Sequence, residues 1–293
     1  MRLEGLGFTG YDVRRGFELA ARTLPVEMTY LDNAGDADRA LANAEEAVRQ
    51  RFDLLIEFNP ETRVNPDIAQ RLKDAGIPVI AIGYPVGDAP VYTADSQAAG
   101  AMAGEALGDF AKQAWADQSV IAAIVGDTGD PSDAVKARLQ GVTEGLHRSY
   151  PDLIPAMLDT GGQPARAEFL VSRLLAAQPG RKLLIAALDD PTALAAKIGV
   201  ELTRRLNDAA IVSQGLDRSV HGGASEKKEI DPSNRGSLLL GSVAYLMDRY
   251  GYEVLPLALR LLQGQSVPPR TVTAHILISA RNVFQEYPPT DMN

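Results

Sequence analysis

Residues 53–58 read DLLIEF and residues 77–82 read IPVIAI, two almost continuously apolar runs separated by a segment with helical periodicity. Strands that are apolar on both faces are typical of a parallel sheet, because its crossover helices cover both sides. The segment between the runs carries Ile68 and Leu72 on one face and stops at Gly76, a residue suited to end a helix. These residues predict a βαβ unit.

The same alternation of strand and helix extends in both directions along the chain. Upstream, residues 11–23 have apolar residues at helical spacing, and residues 26–31 (VEMTYL) predict a short strand. Downstream, residues 119–125 (SVIAAIV) begin a second series of strands and helices, followed by predicted strands at 238–245 and 271–278. The pattern predicts an α/β protein with two doubly wound parallel-sheet lobes.

The composition is that of a globular protein and excludes several function classes. The chain has 293 residues, 45% of them hydrophobic, and a formal net charge of -9. A negative chain without basic runs repels phosphate, so we expect no nucleic-acid partner. The absence of cysteine excludes thiol catalysis and thiolate metal sites, and the three histidines stand too far apart in sequence to suggest a metal site or a catalytic base.

The chain contains no targeting or membrane-spanning signal in its sequence. No apolar run reaches the roughly 18 residues of a transmembrane helix, so we expect no membrane insertion. The start, MRLEGLGF, lacks the charged, apolar and small-residue regions of an export signal. We therefore expect either a mature or truncated form or a protein that stays inside the cell.

Polar residues recur directly after the predicted strands, where open α/β sheets bind their ligands. Carboxylates and amides form several hydrogen bonds, and aromatic faces pack on sugar rings, so such a set favours a neutral ligand with many hydroxyls. The set comprises Asn59, Glu61, Tyr84, Asp95, Asp127, Asp189, Gln214, Asp217, Arg218 and Tyr245. Acidic residues after strands also cap helices, and Asp95, Asp133 and Asp190 are well placed to do so.

Two motifs that suggest chemistry do not match known catalytic patterns. Residues 126–130 (GDTGD) lack both the GK[ST] ending of a Walker A loop and the GxGxxG order of a dinucleotide site. The adjacent acids Asp189 and Asp190 are expected to point in different directions, unlike a glycosidase pair. We therefore predict no catalytic residue, no metal and no cofactor.

The order of these segments resembles that of type I periplasmic sugar-binding proteins of ABC importers, which share their fold with the effector domains of LacI-type repressors. The similarity covers nearly the whole chain. Its most specific pieces are GIPVI (76–80), DDPTALAA (189–196), and a tail that runs from YG (250–251) through PLAL (256–259) to VPP (267–269).

The resemblance implies two lobes joined by three crossovers, with the ligand enclosed in the cleft between them by hinge closure. One lobe comprises residues 1–94 and 246–273, and the other comprises residues 95–245 and 274–293. The implied ligand contacts are Asn59, a position near Tyr84, Asp95 or its neighbour, Lys136 or Arg138, Asp189, Asp217 and Tyr245, with Phe8 as a further stacking face.

The chain also departs from the family pattern. Many pentose and hexose binders have Asp-Arg where this chain has Gly83-Tyr84, and Asn where it has Asp189, so the sugar class stays open. The family begins with a central strand, and almost nothing precedes Phe8 here. We expect that strand to be missing, which would leave backbone groups unpaired and expose an apolar slot.

The preferred hypothesis is a monomeric, periplasmic solute-binding protein that binds a sugar or polyol and delivers it to the membrane permease of an ABC importer. The alternative is the effector-binding domain of a LacI-type regulator without its DNA-binding module. A third hypothesis, a sugar-modifying enzyme, is the weakest because the sequence shows neither a nucleophile and base pair nor a cofactor loop.

Overall fold

The computed structural model describes residues 8–222 and 227–288, with side chains from residue 13 onward in the first helix. The chain divides into two compact units. Unit 1 lies within Met1–Ala94 and Leu246–Ala274, and unit 2 lies within Asp95–Tyr245 and His275–Asn293. This division assigns Ala274 to unit 1, one residue beyond the boundary expected from the sequence.

Helices and strands alternate along most of the chain. The helices are α1 (Phe8–Ala21), α2 (Ala37–Arg49), α3 (Asn65–Asp74), α4 (Ser96–Ala114), α5 (Asp133–His147), α6 (Arg166–Ala177), α7 (Asp190–Leu202), α8 (Tyr250–Leu262) and α9 (Val283–Glu286). The strands are β1 (Leu55–Glu57), β2 (Val79–Ile82), β3 (Val91–Thr93), β4 (Val120–Gly126), β5 (Ala156–Asp159), β6 (Lys182–Ala187), β7 (Ala209–Gly215), β8 (Leu239–Ala244), β9 (Arg270–Val272) and β10 (Ile276–Ser279).

Unit 1 is built on a parallel sheet with strand order β1-β2-β3-β9. Leu55 and Val79 belong to a core that includes the buried face of α2 and α3. The next residues along each strand, Ile56 and Ile80, belong to a second core with residues of α1 and α8. Successive strand residues point to opposite faces, so this division confirms that both faces of the sheet are covered by helices.

The end of α3 confirms the role predicted for Gly76. This glycine has φ +71°, in the left-handed region, and its N–H donates to the carbonyl of Lys73 at 3.0 Å. The N–H of Ile77 donates to the carbonyl of Leu72 at 2.9 Å. Both bonds satisfy carbonyls at the end of the helix, and the turn leads directly into β2.

The strand predicted at residues 26–31 is wrong, because no strand is found there. Val26 and Leu31 of the segment line a cavity of about 400 Å³, together with β1 and Leu255 of α8. A strand forms only where a neighbour takes up its backbone hydrogen bonds, and within the described residues β1 pairs with β2 alone. The expected first strand concerns residues before Phe8, which lie outside the described residues.

Unit 2 is built on a larger sheet with strand order β10-β8-β7-β6-β4-β5. Every pair in it is parallel except β10 with β8, which is antiparallel. The single strand predicted at 271–278 is therefore wrong: β9 pairs with β3 in unit 1, whereas β10 pairs with β8 in unit 2. The strand is interrupted between β9 and β10 because its two ends pair with strands of different sheets.

Helices α4 and α5 pack at unusually close range through glycines. A β-carbon on Gly104 would overlap the carbonyl oxygen of Val142, and one on Gly141 would overlap that of Gln97. The backbones therefore touch where side chains normally separate two helices. Among the helices of the described residues, none is long and apolar enough to cross a membrane.

We expect Gly141→Ala to lower the free energy of unfolding by about 1–3 kcal/mol, measured by urea denaturation, because the added methyl group overpacks the contact between the helices. The better helix propensity of alanine opposes this loss by about 1 kcal/mol. Gly236→Ala is the matched control, since a β-carbon there meets nothing within 4 Å. Equal stability of the two variants would contradict the close packing.

Glu57 is a buried acid at the end of β1, beside the cavity, with only 5% of its surface exposed. Burial raises its pKa from 4.5 to about 7, although a hydrogen bond from Asn33 Nδ2 at 2.7 Å acts in the opposite direction. The folded protein thus keeps a proton on Glu57 at a pH where the unfolded chain has released it.

We expect this acid to make the protein less stable as the pH rises. Between about pH 4.5 and 7 the folded state binds more protons than the unfolded state, so its contribution falls across this window and levels off above it. Because each pKa unit corresponds to about 1.4 kcal/mol, the loss reaches at most about 3 kcal/mol. Urea denaturation of Glu57→Gln across this window should show a flatter pH profile than wild type. Glu27→Gln, at an exposed residue of the same cavity, should retain the wild-type profile.

Candidate functional site

The side chains of Arg138, Gln214, Tyr245 and His275 meet in unit 2, and we call them the strand-end cluster. Tyr245 directly follows β8, is only 5% exposed, and donates its hydroxyl to Oε1 of Gln214 in β7 at 3.0 Å. The His275 ring packs edge-on against the tyrosine ring at 5.0 Å between centroids. The Arg138 guanidinium, from α5, lies 5.4 Å from the same ring centroid. One aromatic ring thus organises the cluster.

Two hydrogen-bond donors in the strand-end cluster have no partner among the described residues. Arg138 donates Nη1 to the carbonyl of Leu188 at 3.0 Å, but its Nε is buried and unpaired. Gln214 is 1% exposed, and its Nε2 is also unpaired. A buried donor without a partner costs about 1–3 kcal/mol. Such a pair of donors suits a ligand that presents acceptor oxygens beside an aromatic ring.

His275 is held in place by hydrogen bonds at both ring nitrogens. Its Nε2 accepts the backbone N–H of Asp95 at 3.1 Å, and its Nδ1 lies 3.2 Å from the carbonyl of Ala244. Burial lowers its pKa, which favours the neutral ring with the proton on Nδ1. With both nitrogens engaged, His275 supports the cluster and is poorly placed to act as a base. Within 8–222 and 227–288, no group of His, Cys, Asp or Glu could hold a metal ion.

The helix caps correct two of three expectations from the sequence. Asp95 caps α4 as expected, by accepting the N–H of the third helical residue at 2.9 Å. The caps of α5 and α7, however, are Ser132 and Asp189 rather than Asp133 and Asp190. The capping residue is the last one with extended backbone, and Asp189 has φ −152° and ψ 166°. The following aspartate is already helical.

Asp190 instead lies at the centre of a buried network and is only 1% exposed. Its Oδ1 accepts the hydroxyls of Ser213 in β7 and of Ser242 in β8, the latter at 2.8 Å. Its Oδ2 accepts the backbone N–H of Asp217 at 2.6 Å. Burial raises its pKa to about 7, although these hydrogen bonds lower it. The carboxyl group thereby joins the start of α7 to two strands and to the turn after β7.

In unit 1, the predicted contact Asn59 is completely buried and its amide is occupied. Its Nδ2 donates to Oδ1 of Asn65 at 2.9 Å, and its Oδ1 accepts the N–H of Glu61 at 3.2 Å. Asn65 in turn donates to the carbonyl of Pro85 at 2.9 Å, so the pair joins two turns at one end of the sheet. A ligand contact at Asn59 stays a prediction, and the structure gives the residue a structural role.

The other predicted residues lie in varied surroundings. Tyr84 is 36% exposed and packs edge-on against Phe58, while Glu61 lies 3.6 Å from Arg63 at the surface. Lys136 is exposed and lies 3.6 Å from Asp133, whereas Arg138 belongs to the strand-end cluster. Asp127 is half-buried after β4, and Asp217 forms a turn by accepting the N–H of Ser219 at 2.7 Å. The side chain of Phe8 lies outside the described residues.

Three important residues were not among the sequence-based site residues. Gln214 belonged to the polar set after the strands but carried no further signal. His275 carried no signal in the sequence, because the three histidines stand too far apart along the chain to suggest a shared site. Asp190 was expected to cap a helix, and only its burial against Ser213 and Ser242 reveals its network.

A family model described as a periplasmic binding protein domain matches residues 8–266 of the chain. A comparison with curated proteins finds no match.

Solved structures resemble the chain over nearly its whole length. One is an ABC transporter periplasmic solute-binding protein from Actinobacillus succinogenes with bound D-allose, with a TM-score of 0.75, 13% identity, and coverage of 96% of each chain. A sugar-binding protein of a sugar ABC transporter from Bacillus halodurans has a TM-score of 0.75, 19% identity and 94% coverage of each chain. A carbohydrate transporter solute-binding protein from Agrobacterium radiobacter in complex with D-arabinose has a TM-score of 0.71 at 17% identity, covering 98% of this chain and 95% of the other. At these identities the likeness shows the fold.

Proposed function

Because the chain belongs to the periplasmic binding protein family, we propose that it is the solute-binding component of an ABC importer and takes a sugar or polyol. The family is one of binding proteins rather than enzymes. The observation that carries the proposal is the strand-end cluster, in which the buried Nε of Arg138 and Nε2 of Gln214 have no hydrogen-bond partner among the described residues and lie beside the ring of Tyr245. Sugar hydroxyl and ring oxygens are acceptors that suit these donors.

The proposed contacts divide by chemistry. Arg138 and Gln214 donate to oxygens of the ligand, whereas the carboxylates of Asp189 and Asp217 accept its hydroxyls. The ring of Tyr245 is held by the hydrogen bond between its hydroxyl and Gln214 and by the perpendicular contact with the His275 ring, so its position is fixed. Several such buried hydrogen bonds are enough for micromolar affinity, which corresponds to about 8 kcal/mol.

Several further features come from family membership. The permease of an ABC importer is the proposed partner and the periplasm the proposed location. The matched solved structures are transport proteins, which supports the importer over the LacI-type regulator. Monomeric state and binding by closure of two lobes stay predictions.

We expect a sugar or polyol to raise the melting temperature of the purified chain. A panel would contain D-allose, D-arabinose, glycerol, other pentoses and hexoses, and inositols. A ligand at about a hundred times its Kd adds about 2.7 kcal/mol of stability, which corresponds to several degrees. A well-folded sample that shows no shift with any member of the panel would contradict the proposal.

We expect Arg138→Met to weaken the binding of the best sugar in this panel about tenfold or more, because a charged hydrogen bond contributes about 1.5–3 kcal/mol. Isothermal titration calorimetry measures the change in Kd. Lys136→Met is the matched control, since Lys136 lies two residues away on the same helix but is exposed. Equal losses from both variants, or a larger loss from Lys136→Met, would refute this assignment.

A further inference from the structure

We propose that Asp190 is the positioning residue of the ligand site, which holds the turn carrying Asp217 in its binding conformation without touching the ligand. The inference rests on the proposed function, since Asp217 is one of the proposed ligand contacts. It assigns Asp190 a task different from that of its neighbour Asp189, whose side chain caps α7.

The first support is the geometry of the Asp190 carboxyl group, which serves three elements at once. One oxygen accepts two serine hydroxyls, from β7 and β8, and the other accepts the backbone N–H of Asp217. Ser242, one of these serines, also accepts the N–H of Leu216 at 3.0 Å. Two consecutive amides of the turn are therefore held by one buried network.

The second support is the strained backbone of this turn. Gly215 has φ +122° and Leu216 has φ +64°, and a leucine rarely adopts the left-handed region. Such conformations persist only where the surroundings hold them in place, and they are common at binding sites. Ser242 accepts the N–H of Leu216, and Asp190 accepts the N–H of the next residue, Asp217.

The third support is the cost of burying an acid completely. A carboxyl group that is 1% exposed is costly to bury unless hydrogen bonds compensate for the lost water. The hydrogen bonds from Ser213, Ser242 and the Asp217 N–H offset this cost and hold these three donors in one arrangement. Asp190 anchors the backbone N–H of Asp217, and the side-chain Oδ1 of Asp217 accepts the N–H of Ser219.

The test compares variants of the full chain by two measurements, the Kd for the best sugar of the panel and hydrogen exchange of a peptide covering residues 215–219. We expect Asp190→Ala to raise the Kd about tenfold or more and to speed exchange in the turn. Asp190→Asn should restore binding to within about threefold, because its amide oxygen can accept the Asp217 N–H while its NH₂ group donates to the serines.

Ser213→Ala is the control for a general loss of stability. It removes a hydroxyl from the same network but leaves the bond between Asp190 and Asp217. We expect a lower melting temperature, with Kd and exchange in the turn changed less than about twofold. If Asp190→Ala binds the sugar as tightly as wild type, or if Ser213→Ala weakens binding equally, the inference is overturned.

Gly215→Ala tests the same point should Asp190→Ala fail to fold. A β-carbon at this position would lie 3.0 Å from the Oδ2 atom that accepts the Asp217 N–H. We expect weaker binding and faster exchange, with Gly236→Ala unchanged, and wild-type behaviour of Gly215→Ala would overturn the inference. If the wild-type chain binds no sugar, the proposed function fails. Exchange in the turn of Asp190→Ala then decides the anchoring of Asp217 separately.

Discussion

Helices must cover both faces of each parallel sheet in this chain, and most of the structure follows from that constraint. In unit 1, Leu55 and Ile56 are consecutive residues of β1, yet they belong to two different cores. Both faces of the strand are thereby used for packing. Asn59 and Tyr245 lie where strands end, and the buried serines inside strands, Ser213 and Ser242, are hydrogen-bonded to Asp190.

Several of these polar groups, including those of Asn59 and Tyr245, are buried, so each of them needs a hydrogen-bond partner. In unit 1, Asn59 and Asn65 meet this need by bonding to each other and to the surrounding turns. Unit 2 satisfies it only in part. Asp190 is fully engaged by neighbouring strands, whereas Arg138 and Gln214 keep donors without partners in the described part of the chain. These two donors favour unit 2 as the source of ligand contacts.

The local elements were predictable where neighbouring residues alone decide them. The apolar runs became β1 and β2, and Gly76 ends α3 because a left-handed residue is needed there. The predictions failed where the choice of partner decides the structure. Residues 26–31 form no strand and line a cavity beside β1, and residues 271–278 divide because their two ends pair in different sheets.

By itself the sequence determined the α/β class, the order of its elements and which polar residues follow strands, because these depend on periodicity and on residues close along the chain. Only the tertiary structure decided which of those residues keep a polar atom without a hydrogen-bond partner in the described part of the chain. Asp190 meets Ser242, 52 residues away, and Tyr245 meets Gln214, 31 residues away. Whether a polar atom is satisfied depends on neighbours that the fold brings from such distances, and no local pattern records them. Arg138 and Lys136 are two cations of one helix, and only packing distinguishes them, because Arg138 lies against Tyr245 whereas Lys136 is exposed.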